Sequence, residues 1–381
     1  MTCKEKARRE DLCREEVGDT IGRFALGTMI KPYLLLSLAA ALLLPLAALA
    51  RPQIDTTYGP LPVFELHSGF WINLHNTLYQ EARQRRDPTV GQNTPAAPNL
   101  RHAAKAPLSA SEQKAWEAAV AYYTAHYASQ DLLFSTELIL LKNQIGDFED
   151  CDELSGASKK TCDAGLSPQL TEVLDAAAPV YRAHLWPAHD RANRRWIAQV
   201  APLIREQGVG LSERLADIYQ TRWPSDKIRV DVSAYANWAG AYTTLDPLRV
   251  TISSLDARNQ GSEALEVLFH EASHGIAERV ESAINRECRQ RDKPIPRDLW
   301  HALIFYTTGE VIRPVMSRGD NQSADEDGSL PGGGYTPYAV REGLYSRGWD
   351  DYLKLLTRFW QPYLDSKTTF DDAIAHMVSA L

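Results

Sequence analysis

One stretch of ten residues, Val267–Ile276 (VLFHEASHGI), constrains the fold more than any other part of the chain. Its apolar residues predict a helix that is buried along most of its length. Within it lie two histidines and a glutamate, His270, Glu271 and His274. Burying three such side chains beside apolar neighbours is costly unless they have partners. The chain therefore has to fold so that these three groups are satisfied in its interior.

The three residues form the pattern HExxH. Two histidines at positions i and i+4 of a helix project their imidazoles side by side, so both can bind one Zn²⁺ ion. Glu271 is adjacent but angled, in the position of a general base towards a zinc-bound water molecule. The alternative is an amphipathic helix whose polar stripe has no catalytic role. The cost of burial weighs against that alternative.

The same ten residues resemble the extended signature of the zincin metallopeptidases. Ala277 and Val280 replace the glycine and the third histidine of the metzincin pattern, so the resemblance is to the gluzincins, the thermolysin-like branch. It covers residues 267–313. The resemblance implies one zinc ion, a third ligand that is a glutamate on a later helix, a Tyr or His that stabilises the oxyanion, and a peptide or protein substrate.

The later helix is predicted at residues 298–316 and offers two ligands, His301 and Glu310. They are nine residues apart, about half a turn out of phase, so only one can face the metal. If the HExxH helix continues to Gln290, an antiparallel return of about 16 residues ends near Glu310. We therefore predict Glu310 as the third ligand, and His301 is the alternative.

Three tyrosines are candidates for the oxyanion donor. Tyr306 lies one turn before Glu310 on the same predicted face, whereas Tyr335 and Tyr338 follow a loop, residues 317–334, whose composition is typical of a flexible lid. We list Tyr306 and Tyr338 with Glu271 as catalytic residues. Each tyrosine could equally be a packing residue or a loop anchor.

The fold class predicted from periodicity is α+β and mostly helical, with a small β-sheet immediately before the HExxH helix and a helical lobe before the sheet. Alternating residues predict strands at 227–235, 241–245 and 249–253, with a turn at Asp246-Pro247. Ser109 and Glu112 form a capping box that opens one helix. The other predicted helices of the lobe are 65–86, 131–145, 167–183, 187–207 and 211–222. The lobe's His67 and His75 would share a helix face, as a metal pair or as packing residues.

The N-terminus indicates export. Residues 29–50 have the basic start, apolar core and small-residue cleavage site of a signal peptide, with cleavage expected after Ala50. We interpret residues 1–28 as an upstream extension of the gene model. The mature chain then divides into the helical lobe, 51–224, and a zincin-like catalytic region, 225–381. Contact with a membrane is expected only through an uncleaved signal segment, and the protein is expected in the periplasm or outside the cell.

The net charge and the cysteine content argue against a nucleic-acid-binding protein and against a disulfide-rich scaffold. A net charge of −8 without a Lys/Arg-rich block argues against nucleic-acid binding. Five cysteines are too few for a disulfide scaffold. In an oxidising compartment Cys151 and Cys162 can form a disulfide, which leaves Cys288, although all three can equally be ordinary thiols. The alternative function is a non-catalytic secreted binding protein with a degenerate or structural zinc site.

Overall fold

The structure, a computed structural model, describes residues 61–89, 107–149, 165–320 and 335–381. The predicted signal peptide, the residues before it and the pair Cys151 and Cys162 lie outside these ranges. The described chain belongs to one compact unit, Ala50–Leu381. No helix of the described ranges is long and apolar enough to cross a membrane.

A sheet of four strands lies at the centre of the described chain. Its strands are β1 (Phe64–His67), β2 (Ile228–Ser233), β3 (Ala241–Leu245) and β4 (Leu248–Ser253). Their order is β1-β2-β4-β3, with β1, β2 and β4 parallel and β3 antiparallel to β4. The turn between β3 and β4 is Asp246-Pro247, as predicted, and its peptide bond is cis. β3 is therefore an edge strand.

The two faces of the sheet differ in polarity. Leu66, Val230 and Val250 lie in register on one face and are at most 5% exposed, in the same hydrophobic cluster as α5 and α6, defined below. The opposite face is polar, and Lys142 covers it by donating a hydrogen bond to Thr244 (3.1 Å). One register row of this face crosses all four strands: His67, Asp231, Thr251 and Tyr242.

Helices make up most of the rest, so the chain is a mostly helical α+β protein with a small sheet, as predicted. Those before β2 are α1 (Phe70–Arg86), α2 (Ala110–His126), α3 (Thr136–Gly146), α4 (Pro168–His184) and α5 (Trp186–Ile218). Those after β4 are α6 (Gly261–Ser273), α7 (Glu278–Gln290), α8 (Leu299–Asp320), α9 (Tyr338–Arg341), α10 (Asp350–Leu355), α11 (Gln361–Leu364) and α12 (Phe370–Ser379). A π-helical turn, Leu356–Trp360, joins α10 to α11.

Local signals predicted some boundaries well. The capping box opens α2 as expected, because the Ser109 hydroxyl accepts from the Glu112 amide (3.3 Å) and the Glu112 carboxylate accepts from the Ser109 amide (2.8 Å). The break predicted between residues 207 and 211 was wrong. Gly208 lies inside the continuous helix α5, where a Cβ atom would be 3.2 Å from Val63 Cγ2. The glycine serves close packing here and does not end the helix.

The helix predicted at residues 65–86 was wrong at its start, because residues 65–67 belong to β1. His67 is consequently on a strand and His75 on α1, where His75 Nδ1 is hydrogen bonded to the Tyr123 hydroxyl (2.9 Å). The two histidines do not share a helix face. β1 also brings the N-terminal part of the described chain into the sheet, beside β2.

Candidate metal centre

Helix α6 carries the HExxH motif into the core. Its apolar residues pack on the sheet and on α5, with Leu268 and Phe269 at 0% exposure. Two polar residues of the motif are buried as well, since His270 is 3% and Glu271 9% exposed, whereas His274 is partly buried. The helix therefore presents these groups to the interior of the protein, as its sequence predicts.

The chain changes direction immediately after the motif. Helix α6 ends at Ser273, and α7 begins only at Glu278. At the bend Gly275 packs so tightly on β4 that a Cβ atom would lie 2.6 Å from Leu248 Cδ2. A side chain at this position would require the Leu248 side chain to move. α6 and α7 are thus two helices where the sequence predicts one.

Helix α8 returns to the motif and brings a third histidine to it. One ring nitrogen from each of His270, His274 and His301 can be chosen so that all three lie within 4.8 Å of one another. The ring centroids are 5.1 Å apart for His270 and His274, 5.3 Å for His270 and His301, and 5.0 Å for His274 and His301. The three imidazoles form a triangle of similar sides that can hold one metal ion.

The protonation of these imidazoles suits a metal. Burial lowers the pKa of His274 to about 3 and that of His301 to about 4, and it holds the pKa of His270 well below its usual value. All three rings are therefore neutral near pH 7 and keep a lone pair for a metal ion. His270 Nδ1 is buried and has no hydrogen-bond partner in the described part of the chain.

The structure corrects the choice of third ligand. Glu310 lies outside the histidine group and pairs with Arg313 (Oε1 to Nη2, 2.5 Å). The prediction assumed a straight helix from His274 to Gln290, whereas the chain bends after Ser273. As a result, the residue of α8 that lies at the motif is His301, nine residues before Glu310. The alternative weighed in the sequence, His301, is the residue that this geometry favours.

Strand β3 contacts the glutamate of the motif. The Thr243 hydroxyl lies 2.6 Å from Glu271 Oε2 and 2.8 Å from the Glu271 carbonyl oxygen, both of which can accept its proton. Burial raises the pKa of Glu271 to about 7, although the Thr243 hydrogen bond lowers it. The edge strand beside the site is thus β3.

Glu266, a buried residue one turn before the motif, binds the first residues of the segment that begins at Tyr335. Glu266 accepts hydrogen bonds from the Tyr335 hydroxyl (2.6 Å) and from the Tyr338 amide (3.0 Å). Burial raises the pKa of Tyr338 to about 12, and the Glu271 carboxylate is among the charges that raise it. The Tyr338 phenol therefore lies within electrostatic reach of the motif. Tyr335 is engaged as an anchor.

Tyr306 is directed away from the motif. Its hydroxyl donates a hydrogen bond to Gln361 Oε1 (2.8 Å) in the C-terminal helices. The sequence places Tyr306 and Glu310 on one face of α8. The residue of α8 that lies at the motif is His301, on the opposite face. The contacts of Tyr306 in the described part of the chain therefore do not support its grouping with the catalytic residues, which stays a prediction.

Comparisons of the chain with protein-family models, with curated proteins and with solved structures find no match.

Sequence reasoning missed the aromatic side chains around the histidines. Phe305 stacks on His270 with ring centroids 3.5 Å apart and planes 16° apart. Trp300 contacts His274 (5.5 Å) and His301 (5.2 Å), and Trp349 contacts His301 (5.5 Å). The spacing of His301 and Phe305 on one helix was a usable signal, because residues i and i+4 share a face. No helical spacing indicated Trp349, because it lies outside the helices, between α9 and α10.

Proposed function

We propose that the protein is an exported zinc-dependent hydrolase, most simply a peptidase. The observation that carries the proposal is the convergence of three neutral imidazoles, from His270, His274 and His301, beside the carboxyl group of Glu271. Three protein ligands with a nearby general base are typical of catalytic zinc sites, whereas structural sites have four protein ligands. Within the described ranges the group contains three residues, which leaves room for a water molecule or a substrate.

The three histidines would hold the metal. When bound, zinc supplies a Lewis acid that lowers the pKa of a water molecule and polarises a carbonyl group. The chain supplies the proton transfers around it. Glu271 accepts a proton from the attacking water, and it then donates that proton to the nitrogen of the leaving amine. A pKa raised by burial suits both steps, since the group has to change protonation near neutral pH.

Two neighbours assist this glutamate in the proposal. The Thr243 hydroxyl orients the carboxylate through its 2.6 Å hydrogen bond. The Tyr338 phenol is the proposed donor to the oxygen that becomes negatively charged, because its ring lies 6.0 Å from Phe305, which stacks on His270. The free edge of β3 supports an extended peptide as substrate, because an edge strand can pair with one through backbone hydrogen bonds.

The experiment compares wild-type protein with Glu271→Gln on a panel of peptides, with zinc measured by elemental analysis. We expect about one zinc ion per chain in both proteins and hydrolysis only in the wild type. Metal-free wild-type protein would overturn the metal site. Equal hydrolysis by both proteins would overturn the role of Glu271 and favour the non-catalytic alternative.

A further inference from the structure

The face of the sheet opposite α6 is buried, although its side chains are polar. Three residues that lie in register across it, Asp231, Thr251 and Tyr242, are at most 4% exposed. Asp231 Oδ2, Thr251 Oγ1 and the Tyr242 hydroxyl are buried atoms without a hydrogen-bond partner in the described part of the chain. Buried polar atoms in proteins nearly always have a partner. The three atoms of this row are therefore free to bind a polar group.

Lys142 of α3 adds a buried positive charge to this face. Its ammonium group donates a hydrogen bond to the Thr244 hydroxyl (3.1 Å) and lies 5.7 Å from the centre of the Tyr242 ring. The residue is 1% exposed, and within the described ranges it forms no ion pair. Burial lowers its pKa to about 8, so the protonated form still predominates at neutral pH. A buried ammonium group without a counter-ion is unfavourable, and an anion beside it would relieve that cost.

The two arginines of the same face already have acidic partners. Arg229 Nε donates to Asp231 Oδ1 (2.7 Å), and Arg249 Nη2 donates to Asp147 Oδ1 (2.6 Å). Each of these ion pairs joins one positive and one negative charge, whereas Lys142 has no such partner among the described residues. The ammonium group of Lys142 is therefore the group whose charge a bound anion would balance.

Arg229 supplies a second donor near Lys142. Its Nη2 atom is buried and has no hydrogen-bond partner in the described ranges. A Cβ atom at Gly146, one turn after Lys142 on α3, would lie 3.6 Å from this nitrogen. Arg229 Nη2 and the ammonium group thus lie beneath the same side of α3. The Arg229 side chain is 20% exposed, so a ligand can enter from solvent at this end of the face.

We propose that the polar face of the sheet beneath α3 binds a small carboxylate ion. The two oxygens of a carboxylate accept about four hydrogen bonds. The donors on this face are Lys142, Arg229 Nη2 and the hydroxyls of Thr251 and Tyr242. One negative charge balances the ammonium group, whereas Asp231 Oδ2 would repel an ion with two negative charges. We term these five residues the carboxylate site.

The carboxylate site is separated from the HExxH helix by the sheet. Tyr242 of the site and Thr243, which contacts Glu271, are neighbours on β3. Successive side chains of a strand point to opposite faces, so the two residues serve different sites. The inference therefore does not depend on the proposed hydrolase function.

The test is isothermal titration calorimetry of the purified full chain with sodium acetate, sodium phosphate and sodium chloride, at neutral pH and equal ionic strength. We expect acetate to bind at one saturable site, at least about ten-fold more tightly than phosphate or chloride. Lys142→Met should weaken acetate binding by at least about ten-fold, because it removes the balancing charge. Thr251→Val, which removes a hydroxyl and keeps the shape, should weaken it by about three- to ten-fold.

Lys354→Met is the matched control, since Lys354 is exposed and pairs with Asp351 at the surface. Its affinity for acetate should equal that of the wild type. Circular dichroism checks that each variant is folded. If Lys142→Met does not fold, Thr251→Val is the variant that decides.

The absence of saturable acetate binding by the wild type overturns the inference, and so does wild-type affinity in the deciding variant. Tighter binding of phosphate or chloride than of acetate overturns it as well. Acetate that still binds Lys142→Met and is lost when a chelator removes the metal belongs to the candidate metal centre, which is a further contrary result. None of these outcomes bears on hydrolysis by Glu271, so failure of the carboxylate site leaves the proposed function standing.

Discussion

The Thr243 hydroxyl lies 2.6 Å from Oε2 of Glu271, so the edge strand of the sheet holds the carboxylate of the HExxH motif. Glu271 is only 9% exposed, and this hydrogen bond is what offsets part of its burial. This hydrogen bond connects strand β3 to the residue of α6 that is proposed as the general base.

We predict that Thr243→Val lowers kcat/KM for peptides by about ten- to a hundred-fold, because a hydrogen bond to a charged acceptor contributes about 1.5–3 kcal/mol. Valine has the same shape and suits a strand. Zinc content should stay at the wild-type value. Thr243→Ser keeps the hydroxyl and should retain most of the activity; an inactive serine variant would show that the methyl group, not the hydrogen bond, matters.

The metal ligands can be separated by paired variants on α8. His301→Ala should lose zinc during dialysis against a mild chelator, because two imidazoles hold the ion far less tightly than three. Glu310→Ala should keep zinc, since Glu310 pairs with Arg313 outside the histidine group. The measurement is the zinc content of each protein after the same dialysis. Zinc loss in Glu310→Ala with retention in His301→Ala would restore the original prediction of Glu310 as ligand.

The choice between Glu310 and His301 as third ligand shows which features cannot be predicted from the sequence. His270 and His274 could be placed together because their spacing lies within one helix, and the capping box of Ser109 is equally local. The third ligand depends on the bend after Ser273, where α6 ends and α7 begins only at Glu278. The bend and the approach of α8 are tertiary features, and no periodicity in either helix encodes them.

Strand β1 gives the same lesson. Residues 65–67 continue the periodicity of the helix that follows, so the pattern favours one long helix. Their pairing with β2 joins residues more than 150 positions apart, since Phe64 lies opposite Ile228. The sheet could be predicted from β2, β3 and β4, whereas its fourth strand required a partner that the local sequence does not reveal.

The two tyrosines proposed from sequence should differ in effect. Tyr338→Phe should lower kcat by about ten- to a hundred-fold with a smaller change in KM, because the lost hydrogen bond would form mainly in the transition state. Tyr306→Phe should leave kcat close to the wild-type value, since the Tyr306 hydroxyl donates to Gln361. Steady-state kinetics on one peptide measures both. A larger loss of kcat in Tyr306→Phe would contradict the placement of Tyr338 as donor.

The position of the segment that begins at Tyr335 should be sensitive to one methyl group added on α8. A Cβ atom at Gly309 would lie 2.6 Å from Pro337 Cβ and 3.2 Å from Glu266 Oε1. Gly309→Ala should therefore lower the free energy of unfolding by about 1–3 kcal/mol, as overpacking does, and lower kcat by displacing Tyr338. Urea denaturation and kinetics measure the two effects.

Gly210→Ala is the control for this substitution, because Gly210 also lies inside a helix but a Cβ atom there would meet nothing within 4 Å. It should raise the free energy of unfolding by about 0.5–1 kcal/mol through helix propensity. A destabilisation of similar size in both variants would mean that the contact with Pro337 is not the cause.

Glu149 should make a contribution to stability that declines as pH rises. Its carboxylate accepts hydrogen bonds from the amides of Trp71 (3.0 Å) and Ile72 (2.9 Å) at the start of α1. Burial nevertheless raises its pKa from 4.5 to about 7. Between these values Glu149 binds more protons in the folded protein than in the unfolded chain, so its contribution to the free energy of unfolding falls as pH increases from about 4.5 to about 7 and then levels off. The buried histidines contribute in the opposite direction, because their pKa values are lowered on folding.

Glu149→Gln removes this titration, so the free energy of unfolding of the variant minus that of the wild type should increase between pH 5 and pH 8. Any cost of the weaker cap on α1 is independent of pH and shifts the whole curve. The titrations of Glu266 and of the buried histidines are common to both proteins and cancel in this difference. Urea denaturation at four pH values gives the two slopes, and any effect of bound metal is common to both proteins. Glu281→Gln, at an exposed position, should keep the wild-type slope. An unchanged slope in Glu149→Gln would mean that Glu149 stays ionised when buried, with the two amide hydrogen bonds outweighing desolvation.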